Sequence, residues 1–64
     1  MHRWVLRRGE RWCVEDEHGT VVSELFEACE AAVDAARVMV RAVGRGIVYV
    51  PRPDSVEFDA LRVP

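Results

Sequence analysis

Between Glu27 and Val43 the chain repeats charged residues at steps of three and four: Glu27, Glu30, Asp34, Arg37 and Arg41. Cys29, Ala32, Val33, Ala36, Met39, Val40 and Val43 fall on the other side, so the spacing predicts one amphipathic helix. This feature constrains the fold most, because the other segments are short and rich in β-forming residues. A single helix cannot bury its apolar side alone, so it needs a sheet to lie on. Acidic residues in the first turns and Arg in the last suit the helix dipole. Asp34 and Arg37 are spaced for an i,i+3 pair worth about 0.2–0.5 kcal/mol. Gly44 and Gly46 end the run. Its start is poorly marked, since Glu27 and Ala28 are weak caps and Ser23 stands early.

The helix is apolar over more than one face. Ala31, Ala35, Val38 and Ala42 form a second stripe beside the core stripe. Together the two span about 220°, against the ~100° that packing on one sheet requires. Something further should cover this seam. Phe58, Leu61 and Val63 of the C-terminal segment are one candidate, and a second copy of the chain is the other.

Upstream, Arg3 to Arg7 and Arg11 to Glu15 flank Arg8-Gly9-Glu10 and read as a β-hairpin. A two-residue Gly9-Glu10 turn pairs Leu6 with Cys13 and puts Trp4 and Trp12 on opposite faces. A three-residue loop gathers Trp4, Leu6, Trp12 and Val14 on one face. It leaves Arg3, Val5, Arg7, Arg11, Cys13 and Glu15 on the other. Turn chemistry favours the first register. Burying two Trp, at about 25 cal/mol per Å², favours the second, and the second is the expectation. The expected core is then Trp4, Leu6, Trp12 and Val14 against Cys29, Ala32, Val33, Ala36 and Val40. Glu15 to Gly19 forms a polar loop, with Gly19 free to turn left-handed. Thr20 to Leu25 reads as a third strand, completing an antiparallel meander.

After the helix, Ile47 to Val50 reads as a strand that returns to the sheet, broken by Pro51-Arg52-Pro53-Asp54. Val56, Phe58 and Ala60 alternate with Glu57 and Asp59, suggesting a last strand; Leu61 and Val63 are out of phase with it. The expected architecture is one α+β domain over residues 1–64. It has a three-stranded meander, one helix on one face and one or two C-terminal strands, with 55–64 as an edge strand or tail. In 64 residues the core must be thin, which argues against a large enclosed active site.

The hairpin Gly9-Glu10-Arg11-Trp12-Cys13-Val14 and the helix pattern Phe26…Ala32…Ala36-Arg37 resemble a family of small prokaryotic domains of unknown function. Its members carry a Gly-x-x-Trp-x-Val hairpin and a Phe-x(5)-Ala-x(3)-Ala-Arg helix. Gly44, Ile47-Val48-Tyr49-Val50 and Asp54 supply the later pieces. The resemblance covers about residues 2–54. It implies a strand-strand-strand-helix-strand order and no established activity. Two positions depart from it: Ala28 replaces the family's helix-start Thr, and Ser55 replaces the Gly after the Asp. In layout the pattern also resembles the arm-type DNA-binding domain of tyrosine recombinases, whose open sheet face enters the major groove.

Charge is segregated. Residues 1–11 sum to +3, residues 12–36 to -7 and residues 37–64 to +2. All nine basic residues are Arg, with no Lys, Asn or Gln, a vocabulary that fits a GC-rich prokaryotic or phage genome. On the expected open face Arg3, Arg7 and Arg11, with Arg8 at the tip, form a nucleic-acid candidate that contacts phosphates or base edges. The plainer reading is that these Arg cover the sheet and pair across strands.

Catalytic and metal chemistry find little support. Cys13, Cys29, His2 and His18 lack zinc-ligand spacing. Glu15-Asp16-Glu17-His18 lacks the pattern of a calcium loop. Ser23 and Ser55 have no nucleophile motif around them, and Gly44-x-Gly46 follows a helix, the wrong order for a phosphate loop. No apolar run is long enough to span a membrane and no signal-peptide core follows Met1. The expectation is a cytoplasmic, non-enzymatic binding module without cofactor. Its partner is a second copy or another protein, and the alternative partner is a nucleic acid.

Overall fold

The computed structural model describes residues 1–64. Strands β1 (His2–Arg8) and β2 (Arg11–Glu15) form a hairpin, helix α1 (Cys29–Val43) follows, and β3 (Gly46–Pro51) and β4 (Phe58–Val63) complete the chain. The four strands make one mixed sheet in the order β2-β1-β3-β4. β1 runs parallel to β3, and both outer pairs are antiparallel. Adjacent parallel strands require a long crossover, and α1 lies within that connection. The domain is α+β with one helix, but the strand order is ββαββ.

The expected third strand is the main departure. Residues 20–26 form no strand with β2 and pair with it as β-bridges at two isolated places, Glu15 with Val21 and Trp12 with Phe26. Three steps along β2 therefore face five along the loop, and the surplus residues break the ladder. Ser23 substitutes for a strand partner by accepting the Val14 N–H through its Oγ at 2.8 Å. Trp12 exchanges both backbone bonds with Phe26, each at 2.7 Å, so the loop still closes much of this sheet edge. The preceding turn is tied by Asp16, whose carboxylate accepts from the Thr20 and His18 backbone N–H groups. These bonds, Thr20 first, hold the Asp16 carboxyl below its ordinary pKa. Gly19 takes the expected left-handed conformation there, at φ 77°.

The hairpin register is that of the two-residue turn. Leu6 faces Cys13, Trp4 faces Glu15 and Val5 faces Val14. Gly9 has φ 63° while Glu10 has no positive φ, the pattern of a turn with glycine first. Turn geometry thus overrides the area gained by burying both Trp. Opposed residues share a face and neighbours alternate, so Trp4 and Leu6 leave the expected core face. The core is Val5, Val14, Val48 and Val63 of the sheet against Ala32, Ala36 and Val40 of α1. Trp12, Cys29, Val33 and Leu61 pack around it as partly buried residues.

α1 starts at Cys29, two residues later than the spacing suggests, with Ala28 at its N-cap and no side-chain cap. It ends at Gly44 (φ 127°), whose N–H donates to the Val40 and Arg41 carbonyls. Gly46 begins β3 and lies against Met1, whose carbonyl accepts the Ile47 N–H at 2.9 Å. The C-terminal residues enter the sheet and do not fold back over the helical seam. Val63 joins the core, Leu61 packs on it, and Phe58 lies in β4 opposite Pro51. Asp59, Leu61 and Val63 share the helix side, so the phase break expected within this segment does not occur. Asp59 can face that side because it lies at the end of the strand. There it accepts from Arg52 Nε at 2.7 Å, and Glu57 pairs with the same guanidinium at 3.2 Å.

Candidate interaction surfaces

The sheet face turned away from α1 has an unusual composition. Register places His2, Trp4, Leu6 and Arg8 of β1 beside Arg11, Cys13 and Glu15 of β2. Ile47, Tyr49 and Pro51 of β3 and Phe58, Ala60 and Arg62 of β4 complete the face. A sheet covered on one side normally shows polar residues to water on the other. Here the two central strands present mostly apolar side chains. Trp4 and Tyr49, adjacent on the parallel pair, stack at 4.6 Å between ring centroids with 14° between planes. His2 stacks on Tyr49 at 5.8 Å, and its Nδ1 lies 3.0 Å from the Tyr49 hydroxyl. The result is a three-ring cluster, His2 exposed and Trp4 and Tyr49 partly buried, at the middle of the sheet face turned away from α1. Cys13 is fully buried on this same face.

Cations rim the rings. Arg8 lies 3.7 Å from Glu15, the one carboxylate on the face, while Arg11 and Arg62 have no ion-pair partner. Beside His2 a depression of about 640 Å³ is lined in part by Arg45, Ile47 and Arg62. The face is apolar at its centre and net positive at its edge, although the whole chain carries -2.

The Arg set expected to act together is divided. Arg8 and Arg11 face each other across the hairpin on the open side. Arg3 and Arg7 belong to the helix side, in phase with Val5. Arg3 is largely covered and donates to the His2 carbonyl at 2.8 Å, with Glu17 at 3.8 Å. Arg7 sits over the Trp12 ring at 5.8 Å and donates to the Gly9 carbonyl at 2.9 Å. Both are held by internal contacts. The Trp4–Tyr49–His2 cluster was not assembled from the sequence, because its signal depends on the parallel β1–β3 pairing. Alternation of Trp4 and Leu6 with Arg neighbours gave the facing but not which side the helix covers.

The expected helical seam is present and uncovered. Ala31 and Ala35 are half-buried, Ala42 is exposed, and Val38 is 66% exposed. The Asp34–Arg37 pair does not form, and Glu30 and Arg41 are likewise free of ion pairs.

Both cysteines are free thiols, Cys13 in β2 and Cys29 at the start of α1. Burial, with Glu30 nearby, pushes the Cys29 thiol above its ordinary pKa, which disfavours a reactive thiolate. No three His, Cys, Asp or Glu side chains gather where they would hold a metal ion. No helix is long and apolar enough to cross a membrane. Compared with family models, curated proteins and solved structures, the chain matches none.

Proposed function

We propose that the chain is a small non-enzymatic binding module that takes a partner protein on the open face of its sheet. The observation that carries this is the partly exposed ring cluster of His2, Trp4 and Tyr49 on the two central strands. Contiguous apolar surface outside a core marks a contact site, and aromatic residues are enriched at such sites. Arg8, Arg11 and Arg62 at the rim give the partner its chemistry: an apolar patch bordered by carboxylates. The test is capture from lysate on the wild-type chain and on a Trp4→Ser, Tyr49→Ser variant that keeps its circular dichroism. The reading expects a saturable partner whose retention falls at least tenfold with the variant. Equal retention by both chains overturns it.

A second reading, binding of single-stranded nucleic acid, is favoured by the rings together with the unpaired Arg11 and Arg62. Bases stack on aromatic side chains for about 1–3 kcal/mol each, and neighbouring cations hold phosphates. Its test is titration of ten-nucleotide RNA and DNA strands at low salt, read by Trp fluorescence. The expected result is quenching that weakens with salt and is reduced several-fold by Arg11→Ala. Arg7→Ala leaves it unchanged, because Arg7 lies on the other side of the sheet. Absence of quenching at low salt removes this reading.

A further inference from the structure

The outer side of α1 has its own logic, independent of the open sheet face. Its apolar row contains Ala31, Ala35, Val38 and Ala42, and nothing in the chain covers Val38. Beside the row runs a charged stripe of Glu30, Asp34, Arg37 and Arg41, acidic toward the helix start and basic toward its end. None of these four charges meets an opposite charge within the chain.

We infer that a second copy docks on this face, with the two α1 helices antiparallel about a twofold axis. An antiparallel pair brings the same flank of both helices together, running in opposite directions. The acidic half of each stripe then meets the basic half of the other. Glu30 falls opposite the partner subunit's Arg41, and Asp34 opposite the partner subunit's Arg37. In the apolar row Ala31 meets the partner subunit's Ala42, and Ala35 meets the partner subunit's Val38. The charge pairs centre between Ala35 and Ala36 and the apolar pairs between Ala36 and Arg37. The two centres differ by one residue, about 1.5 Å along the axis, so one placement satisfies both. A parallel twofold pair would put the two charged stripes on opposite sides of the seam, where they could not meet. Alanines let the backbones approach closely, and opposed helix dipoles add to the preference.

The 15-residue helix is about 22 Å long, so contact along it alone belongs to the small class of interfaces and gives a dissociable dimer. The helix lies between this seam and the sheet. The dimer therefore leaves both open sheet faces outward and the module bivalent. Because the two surfaces are separate, a failure here leaves the open-face reading standing, and the reverse also holds.

The experiment is sedimentation equilibrium up to millimolar chain, with charge-reversed variants. The wild type is expected to dimerise. Glu30→Arg with Asp34→Arg, and Arg37→Glu with Arg41→Glu, should each weaken self-association at least tenfold, since each gives a stripe of one sign. An equimolar mixture of the two variants should recover a heterodimer. A second variant, Val38→Ser, keeps the charges and should also weaken the dimer, while circular dichroism verifies folding in every case. A monomeric wild type throughout this range overturns the inference. So does a dimer that both charge variants retain, or one lost with Trp4→Ser and kept with Val38→Ser.

Discussion

Val48→Asp is expected to leave the chain unfolded at 25 °C, with no cooperative denaturant transition. Val48 is fully buried on β3, one of the two central strands, within the cluster formed by Val5, Val14, Val63, Ala32, Ala36 and Val40. An ionised carboxylate there would lie among apolar side chains, with Arg3 as its register partner on β1. Even with a cation alongside, taking a charge out of water costs several kcal/mol after relaxation. A domain of this size holds about 3–10 kcal/mol in total, by the usual range per residue. Its core consists of Val, Ala and little else, so no larger residue can take up the loss. Circular dichroism and a urea titration check the outcome. A folded variant with a midpoint near the wild type would mean that Val48 is not central to the core.

The second large effect is expected from a single methyl group. A Cβ on Gly46 would collide with the Met1 carbonyl and would lie 2.8 Å from Val40 Cγ1. The first obstacle is backbone that already accepts the Ile47 N–H, so moving it loosens the first rung between β1 and β3. The second is a fully buried side chain with nowhere to go. Gly46→Ala should cost about 3 kcal/mol, the upper part of the range for overpacking, and lower the melting temperature by more than about 10 °C. Gly9→Ala is the control. A Cβ there meets nothing within 4 Å, and only the left-handed backbone at φ 63° resists it, at about 1–2 kcal/mol. Thermal melts of the two variants should differ clearly in that order. Equal losses would show that the contact with Met1 and Val40 is not what fixes Gly46.

These effects show which parts of the molecule local sequence signals can report. The helix was legible because its period survives over four turns and because Gly44 stops it. Its core stripe, Ala32, Ala36 and Val40, is also the observed one. The hairpin was legible as an element but not in register. Two local signals opposed each other there, the Gly9 turn and the joint burial of Trp4 and Trp12. A central strand reading Arg3-Val5-Arg7 looks polar on that side, yet it is the covered side. Only Val5 needs to lie beneath the helix, while Arg3 and Arg7 reach its margins and find Glu17 and Trp12.

Residues 20–25 have β-branched composition, but composition does not count the residues available to a ladder. Five steps against three cannot continue one. Asp59 misled the reading of the last strand in a similar way. Its charge suggested an outward position, and its pairing with Arg52 at the strand end makes the opposite phase possible. The parallel contact of β1 with β3 is non-local and has no signature in either segment. The ring cluster depends on that contact, so the candidate face appeared only when the strands were brought together. The Arg set and the helical seam, by contrast, were visible from spacing. The structure divides the first and leaves the second uncovered.

On β1 the large ring of Trp4 serves the surface, and the smaller Val5 beside it serves the core. The most direct measurement is urea unfolding of Trp4→Ser and Val5→Ser side by side. Val5 is fully buried between Val14 and the helix, so Val5→Ser should cost about 3 kcal/mol or more by losing apolar burial and inserting a hydroxyl. Trp4 is partly exposed against Tyr49, so Trp4→Ser loses the ring pair and part of the ring's burial but opens no enclosed cavity; it should cost less than Val5→Ser, with the cooperative transition kept. The reverse order, with Trp4→Ser unfolding the chain and Val5→Ser tolerated, would place the ring in the core and contradict the account.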